Sequence, residues 1–100
     1  MYISSTSALD GNEGRSAYSS AKAAMIAQAK VLSREVGIYN IRVNAIAPGL
    51  TNTDMMRKNT PEEILNEVTS RISLKRIANP EEIAKVALLL SSDLSSYITG

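Results

Sequence analysis

The chain has 100 residues, 44% apolar and 21% charged, with a formal net charge of +1. That is the balance of one ordinary globular domain at most, without the charge excess that draws a protein to nucleic acid or an anionic membrane. There is no Cys and no His, which removes disulfides, thiolate catalysis, zinc–thiolate and His-ligated metal centres, and any Ser-His-Asp triad. Acid–base chemistry falls to Tyr, Lys, Asp or Glu, and no metal site is expected. The longest apolar run, Val86 to Leu90, is far short of a membrane span. No basic region followed by an apolar core opens the chain, so a cytoplasmic location is expected.

Tyr2 and Ile3 read as the tail of a β-strand, and Thr6 to Ser16, with Asp10-Gly11 and Glu13-Gly14 as turn signals, reads as a loop. From Ala17 to Val36 good helix formers predominate; Ser16 is the expected N-cap and Gly37 the expected left-handed residue after the helix. Ile41 to Ala47 alternates in the manner of a buried strand, stopped by Pro48-Gly49. Two helices with a shared start signal, Thr60-Pro61-Glu62-Glu63 and Asn79-Pro80-Glu81-Glu82, are expected over Pro61–Arg71 and Pro80–Ser92. In both, Pro has no N–H to leave unpaired in the first turn and the carboxylates meet the positive end of the helix dipole. Thr60 with Glu63 also fits a capping box. Strand, long helix, strand and helical segment in that order define a βαβ unit, hence an α/β fold with a parallel sheet. Tyr97 to Gly100 stands where another strand could begin, and both ends look cut.

Tyr18 and Lys22 are four apart in the first turns of the long helix, so they share one face. An ammonium beside a phenol favours the phenolate, and the positive helix end acts in the same direction. Such a tyrosine can exchange a proton with an alcohol or ketone near neutral pH. Spacing alone also admits an amphipathic Tyr packed beside a solvated Lys. Ser5 lies thirteen residues before Tyr18 at the end of a predicted strand, and Pro48-Gly49-x-x-x-Thr53 follows the next one.

Taken together, Ile3-Ser4-Ser5, Tyr18-Ser19-Ser20-Ala21-Lys22-Ala23, Arg42-Val43-Asn44-Ala45-Ile46-Ala47-Pro48-Gly49, Thr53-Asp54-Met55, Pro80-Glu81-Glu82-Ile83-Ala84 and Tyr97-Ile98-Thr99-Gly100 resemble the short-chain dehydrogenase/reductase family, in the subgroup of the 3-oxoacyl-(acyl carrier protein) reductases. The resemblance implies part of a Rossmann-like, doubly wound parallel sheet, residues 1–100 being the C-terminal portion of one domain. It implies an NAD(P)-dependent oxidoreductase moving hydride between nicotinamide and a carbonyl or alcohol carbon. Tyr18 would be the general acid/base. Lys22 would assist it and hold the nicotinamide ribose, while Ser5 would bond the substrate oxygen. Ser4 competes with Ser5, but adjacent strand side chains face opposite sides and the spacing selects Ser5. Pro48, Gly49, Leu50 and Thr53 would line the nicotinamide, at the carboxyl ends of strands where open α/β sheets bind ligands.

The alternative for Ser5 is a strand-end Ser satisfying loop backbone; Pro48-Gly49 can be a plain strand-to-loop turn and Thr53 a helix N-cap before Asp54, roles compatible with a ligand. The glycine-rich phosphate turn and the family's catalytic Asn have no counterpart, and Asn44 reads as structural. NADP is slightly favoured over NAD by the resemblance alone. The substrate would be a small molecule or a carrier-bound acyl group, with another alcohol, sugar or polyol as the alternative. Where acyl carrier reductases often place a basic residue after the long helix, this chain has Tyr39. Between Asn52 and Arg76, the stretch that covers the substrate in the family, Arg57, Lys58, Arg71, Lys75 and Arg76 are explained by a solvated helix face. A homo-oligomer, dimer or tetramer, formed through the Ala-rich long helix is also expected. The other reading is a catalytically silent fragment or a helix-mediated interaction module.

Overall fold

The strand β1 (Tyr2–Ile3) runs parallel to β2 (Ala45–Ile46), with Tyr2 opposite Ala45 and Ile3 opposite Ile46, in a computed structural model that describes residues 1–100. Regular backbone bonds extend the ladder past the assigned strands: Tyr2 N–H to Asn44, Ser4 N–H to Ile46 and Thr6 N–H to Pro48. A parallel pair needs a crossover, and α2 (Ser16–Val36) supplies it, packing on both strands. The α/β fold and the βαβ order are as the sequence predicts. No helix is long and apolar enough to cross a membrane.

The predicted strand over Ile41–Ala47 shrinks to two residues. Ile41 is half exposed, and the buried Val43 backbone and Asn44 side chain bond on the side away from β1. Val43 N–H donates to Thr99 Oγ1 and its carbonyl accepts from Gly100 N–H, while Asn44 Nδ2 donates to Ile98. The chain end therefore lies along the edge of β2 away from β1, where a further strand would pair. Gly100 has a φ of +76°, where any side chain is strained, and a Cβ there would also displace Ser33 Oγ, 2.7 Å away.

Local termini also differ from expectation. Arg15, not Ser16, is the N-cap of α2. Gly37 is right-handed (φ −58°) because the helix tightens into a 3₁₀ turn over Gly37–Tyr39, and Asn40 takes the left-handed position (φ 58°). Asn adopts that region more readily than most residues, and the Asn40 N–H closes the turn on the Gly37 carbonyl. The loop Thr6–Ser16 contains one helical turn, α1 (Ser7–Asp10), and α3 (Asp54–Asn59) follows the second strand. Thr60 ends α3, so it cannot cap α4 (Glu62–Arg71); Pro61 occupies the N-cap and the Thr60–Glu63 capping box does not form.

In α5 (Pro80–Ser91), by contrast, Glu82 reaches back to accept from Asn79 N–H at 2.9 Å. The same carboxylate takes a bidentate pair from Arg76 at 2.6 and 2.7 Å. The Arg76 hydrogen bond first, then the Asn79 N–H, hold its pKa down from 4.5 to about 2.

Only eight residues are buried, and three of those, Ala29, Val43 and Met56, are apolar. Internal burial of apolar area is therefore small, and directional polar contacts carry much of the organisation. Arg42 is the clearest case. Its guanidinium donates to the carbonyls of Leu90 (2.8 Å) and Ser92 (3.2 Å) and to Ser95 Oγ (2.9 Å), so a cation closes the negative end of α5. Ser95, 1% exposed, passes its own hydroxyl to the same turn.

Candidate active site

Because β1 and β2 are parallel, their carboxyl ends open on one edge, and the N-terminal turns of α2 arrive there too. Ser4 and Ser5 follow β1 and point to opposite sides, as alternation requires. Ser4 is 3% exposed and donates to the backbone carbonyl of Lys22 at 2.7 Å. Ser5 is half-buried and its Oγ accepts from Ser7 N–H at 3.2 Å. The loop-satisfying role foreseen for Ser5 is thus present, and it leaves the hydroxyl hydrogen available to a second acceptor.

Tyr18 is 44% exposed, so its ring is reachable from solvent. Lys22 Nζ stands 5.7 Å from the ring centroid and Arg15 Cζ 6.0 Å from it, both within cation–π range. Lys22 Nζ also donates to the carbonyl of Ile3 at 2.8 Å, which leaves two of its N–H donors free of protein partners. The pair four apart in sequence does meet, and β1 fixes its position.

Pro48 accepts from Thr6 N–H at 3.1 Å, which sets the Pro48-Gly49 turn against the segment that carries Ser5. A Cβ added to Gly49 would find only Thr6 Cγ2, at an ordinary 3.8 Å, and its φ is not left-handed. Nothing within the chain requires glycine there. Leu50 and Asn52 bond the backbone of Ala78 on either side of a bridge between Thr51 and Ala78, which anchors the loop just ahead of α5. Thr53 is the N-cap of α3, its Oγ1 accepting from Met56 N–H at 3.2 Å. Of the basic residues downstream, Arg57, Arg71 and Arg76 form exposed ion pairs with Asp54, Glu67 and Glu82, in keeping with a solvated surface. Tyr39 is 70% exposed at the end of the long helix.

Two participants escape sequence reasoning. Arg15 lies three residues before Tyr18, a spacing that brings it over the ring once the helix starts there. Ile3 contributes only a backbone carbonyl, which no residue type advertises. One polar atom in this neighbourhood is buried without a partner, Ser19 Oγ.

A parallel βαβ unit whose long helix begins at the carboxyl ends of its two strands is one portion of a Rossmann-type α/β fold. The family described as enoyl-(acyl carrier protein) reductase matches residues 1–100, and the chain belongs to it, within the short-chain dehydrogenases/reductases. The 3-oxoacyl-[acyl-carrier-protein] reductase FabG of Chlamydia trachomatis is 52% identical over 98 residues, which are 98% of this chain and 39% of that protein. The 3alpha-hydroxysteroid dehydrogenase of Mediterraneibacter gnavus is 42% identical over 100 residues, all of this chain and 40% of that one. The crystal structure of 3-oxoacyl-[acyl-carrier protein] reductase from Brucella melitensis superposes with a TM-score of 0.91 at 36% identity, covering 97% of this chain and 36% of the other. The chain thus spans about two fifths of the length of the curated relatives it matches.

Proposed function

We propose that the chain carries the proton-transfer side of an NAD(P)-dependent oxidoreductase that interconverts a carbonyl and an alcohol, with a 3-oxoacyl group on an acyl carrier as the favoured substrate. The observation that carries this reading is the meeting of Tyr18, Lys22 and the β1 carbonyl of Ile3 beside Ser5. In the reducing direction Tyr18 gives its proton to the substrate oxygen. The positive charges of Lys22 and Arg15 beside the ring favour the negative charge left on the phenol oxygen. Ser5, still able to donate, bonds the same substrate oxygen as charge develops on it.

The residues present fit a nicotinamide nucleotide. The open space over Gly49 admits a flat ring, the free Lys22 donors suit ribose hydroxyls, and the unused Thr53 hydroxyl hydrogen suits a carboxamide; Pro48 and Leu50 complete that floor. The bound nucleotide supplies or accepts the hydride. NADP is the favoured form by family likeness, and its phosphate-binding portion belongs to residues other than these 100, which form the C-terminal part of one domain. The exposed small face of α2, including Ala21, Ala24 and Val31, suits a second copy in a homo-oligomer. We place the protein in the cytoplasm. Relatives named for 3-oxoacyl and hydroxysteroid substrates share a carbonyl or hydroxyl centre, so the proton-transfer residues serve either class.

Tyr18→Phe tests the reading. In the active protein it should leave dinucleotide binding largely intact and lower turnover by about 100-fold or more, the scale of a lost general acid; near-normal turnover would overturn it. The low apolar burial favours a second reading for these 100 residues alone, that they are catalytically silent. Titration with NADH and NADPH, followed by nicotinamide fluorescence, separates the two: micromolar binding by the chain itself would defeat the silent reading.

A further inference from the structure

We infer that Ser4 is a positioning residue for Lys22, a role that rests on the proton-transfer reading above. Two consecutive residues of one strand end hold the same lysine at both of its ends. Ser4 Oγ donates to the Lys22 backbone carbonyl at 2.7 Å, and the Ile3 carbonyl accepts from Lys22 Nζ at 2.8 Å. The contact joins residues eighteen apart in sequence and is shielded from water, Ser4 being 3% exposed.

A helix carbonyl has a second lone pair beyond the one used by its own ladder, and Ser4 uses it to set the height and rotation of α2 against β1. The apolar contact that accompanies it, through Ala29 at 2% exposure, brings helix and sheet close but is non-directional. It permits sliding where a hydrogen bond does not. Any shift of the Lys22 backbone is carried down four methylenes to the ammonium. Displacement on the order of 1 Å at a reacting group costs about 100-fold in rate. The Ser4 hydroxyl bonds only the Lys22 carbonyl and is 3% exposed, so it acts through Lys22.

The test reads Lys22 directly. The active protein is acetylated under limiting reagent, and the rates at Lys22 and at Lys30, on the same helix, are compared by peptide mass spectrometry. Ser4→Ala and the nearly isosteric Ser4→Cys, a much weaker donor, should raise the Lys22-to-Lys30 ratio by about threefold or more, the factor one net hydrogen bond is worth. Ser4→Thr, which keeps the donor, should return the ratio towards that of the parent. In the active protein, turnover should fall by about tenfold in the Ala and Cys variants and recover in the Thr variant. An unchanged labelling ratio in Ser4→Cys with helix content intact overturns the role of Ser4 alone. Undiminished turnover in Lys22→Met overturns the catalytic reading and this role with it.

Discussion

The ammonium of Lys22 stands 5.7 Å from the ring centroid of Tyr18 and donates at 2.8 Å to the carbonyl of Ile3, so one side chain joins helix α2 to the end of strand β1 at the candidate site. Lys22→Met removes the charge and both contacts while keeping the aliphatic stem. We expect kcat/KM in the active protein to fall by about 100-fold, with nucleotide binding weakened as well. Steady-state kinetics and fluorescence titration of the same preparation check this; unaltered kcat/KM would count against Lys22.

Gly49 separates ligand demands from folding demands. A Cβ there meets only Thr6 Cγ2 at 3.8 Å, so Gly49→Ala should leave stability within about 0.5 kcal/mol of the parent, or slightly above it. Nucleotide affinity should nevertheless drop by about tenfold, because the methyl enters the space proposed for the nicotinamide. Urea unfolding and nucleotide titration give the two numbers. A large stability loss with unchanged affinity would reassign the glycine to the fold.

Arg42 closes the end of α5 with bonds to Leu90, Ser92 and Ser95. Arg42→Met leaves those acceptors without their charged donor and should cost about 2 kcal/mol in chemical denaturation. Hydrogen exchange should quicken most over Leu89 to Ser96, since the residues beyond stay tied to Val43 and Asn44 through Ile98, Thr99 and Gly100.

Glu82, held to a pKa of about 2 by Arg76 and then by the Asn79 N–H, makes the start of α5 sensitive to acid. Above pH 4.5 the group is ionised whether the chain is folded or not, and its contribution is complete. As pH falls from 4.5 towards 2 the unfolded chain takes up the proton first, so this part of stability is progressively lost. Ellipticity followed from pH 5 to pH 2 should show the decline, and Glu82→Gln should lessen its dependence on pH. The pair is exposed, so added salt should weaken the effect.

With three apolar residues buried and one face of α2 bare, the isolated chain should self-associate or lose solubility. Sedimentation velocity checks this, and Ala24→Glu should shift the distribution towards smaller species. A monodisperse monomer for the parent chain would contradict it.

The two strands, the long helix and the helices α4 and α5 were legible from the sequence because they depend on short spacings, whereas the short helices α1 and α3 were not. Tyr18 and Lys22 share a face as soon as a helix forms, and Asn79-Pro80-Glu81-Glu82 marks a helix start by local bonding alone. Where a boundary depended on what a neighbour required, local signals misled. Thr60 could not cap α4 once it had ended α3, Gly37 stayed right-handed because the helix tightened and passed the left-handed turn to Asn40, and the strand predicted over Ile41–Ala47 is assigned only at Ala45–Ile46. The sequence by itself determined that a tyrosine and a lysine would face the same way at the start of a long helix. Only the tertiary structure decided what holds them: Ser4 at the lysine's backbone, the Ile3 carbonyl at its ammonium and Arg15 over the ring. Those contacts join backbone and side-chain groups brought together by the parallel crossover, and no local spacing encodes where a strand's carbonyl will point.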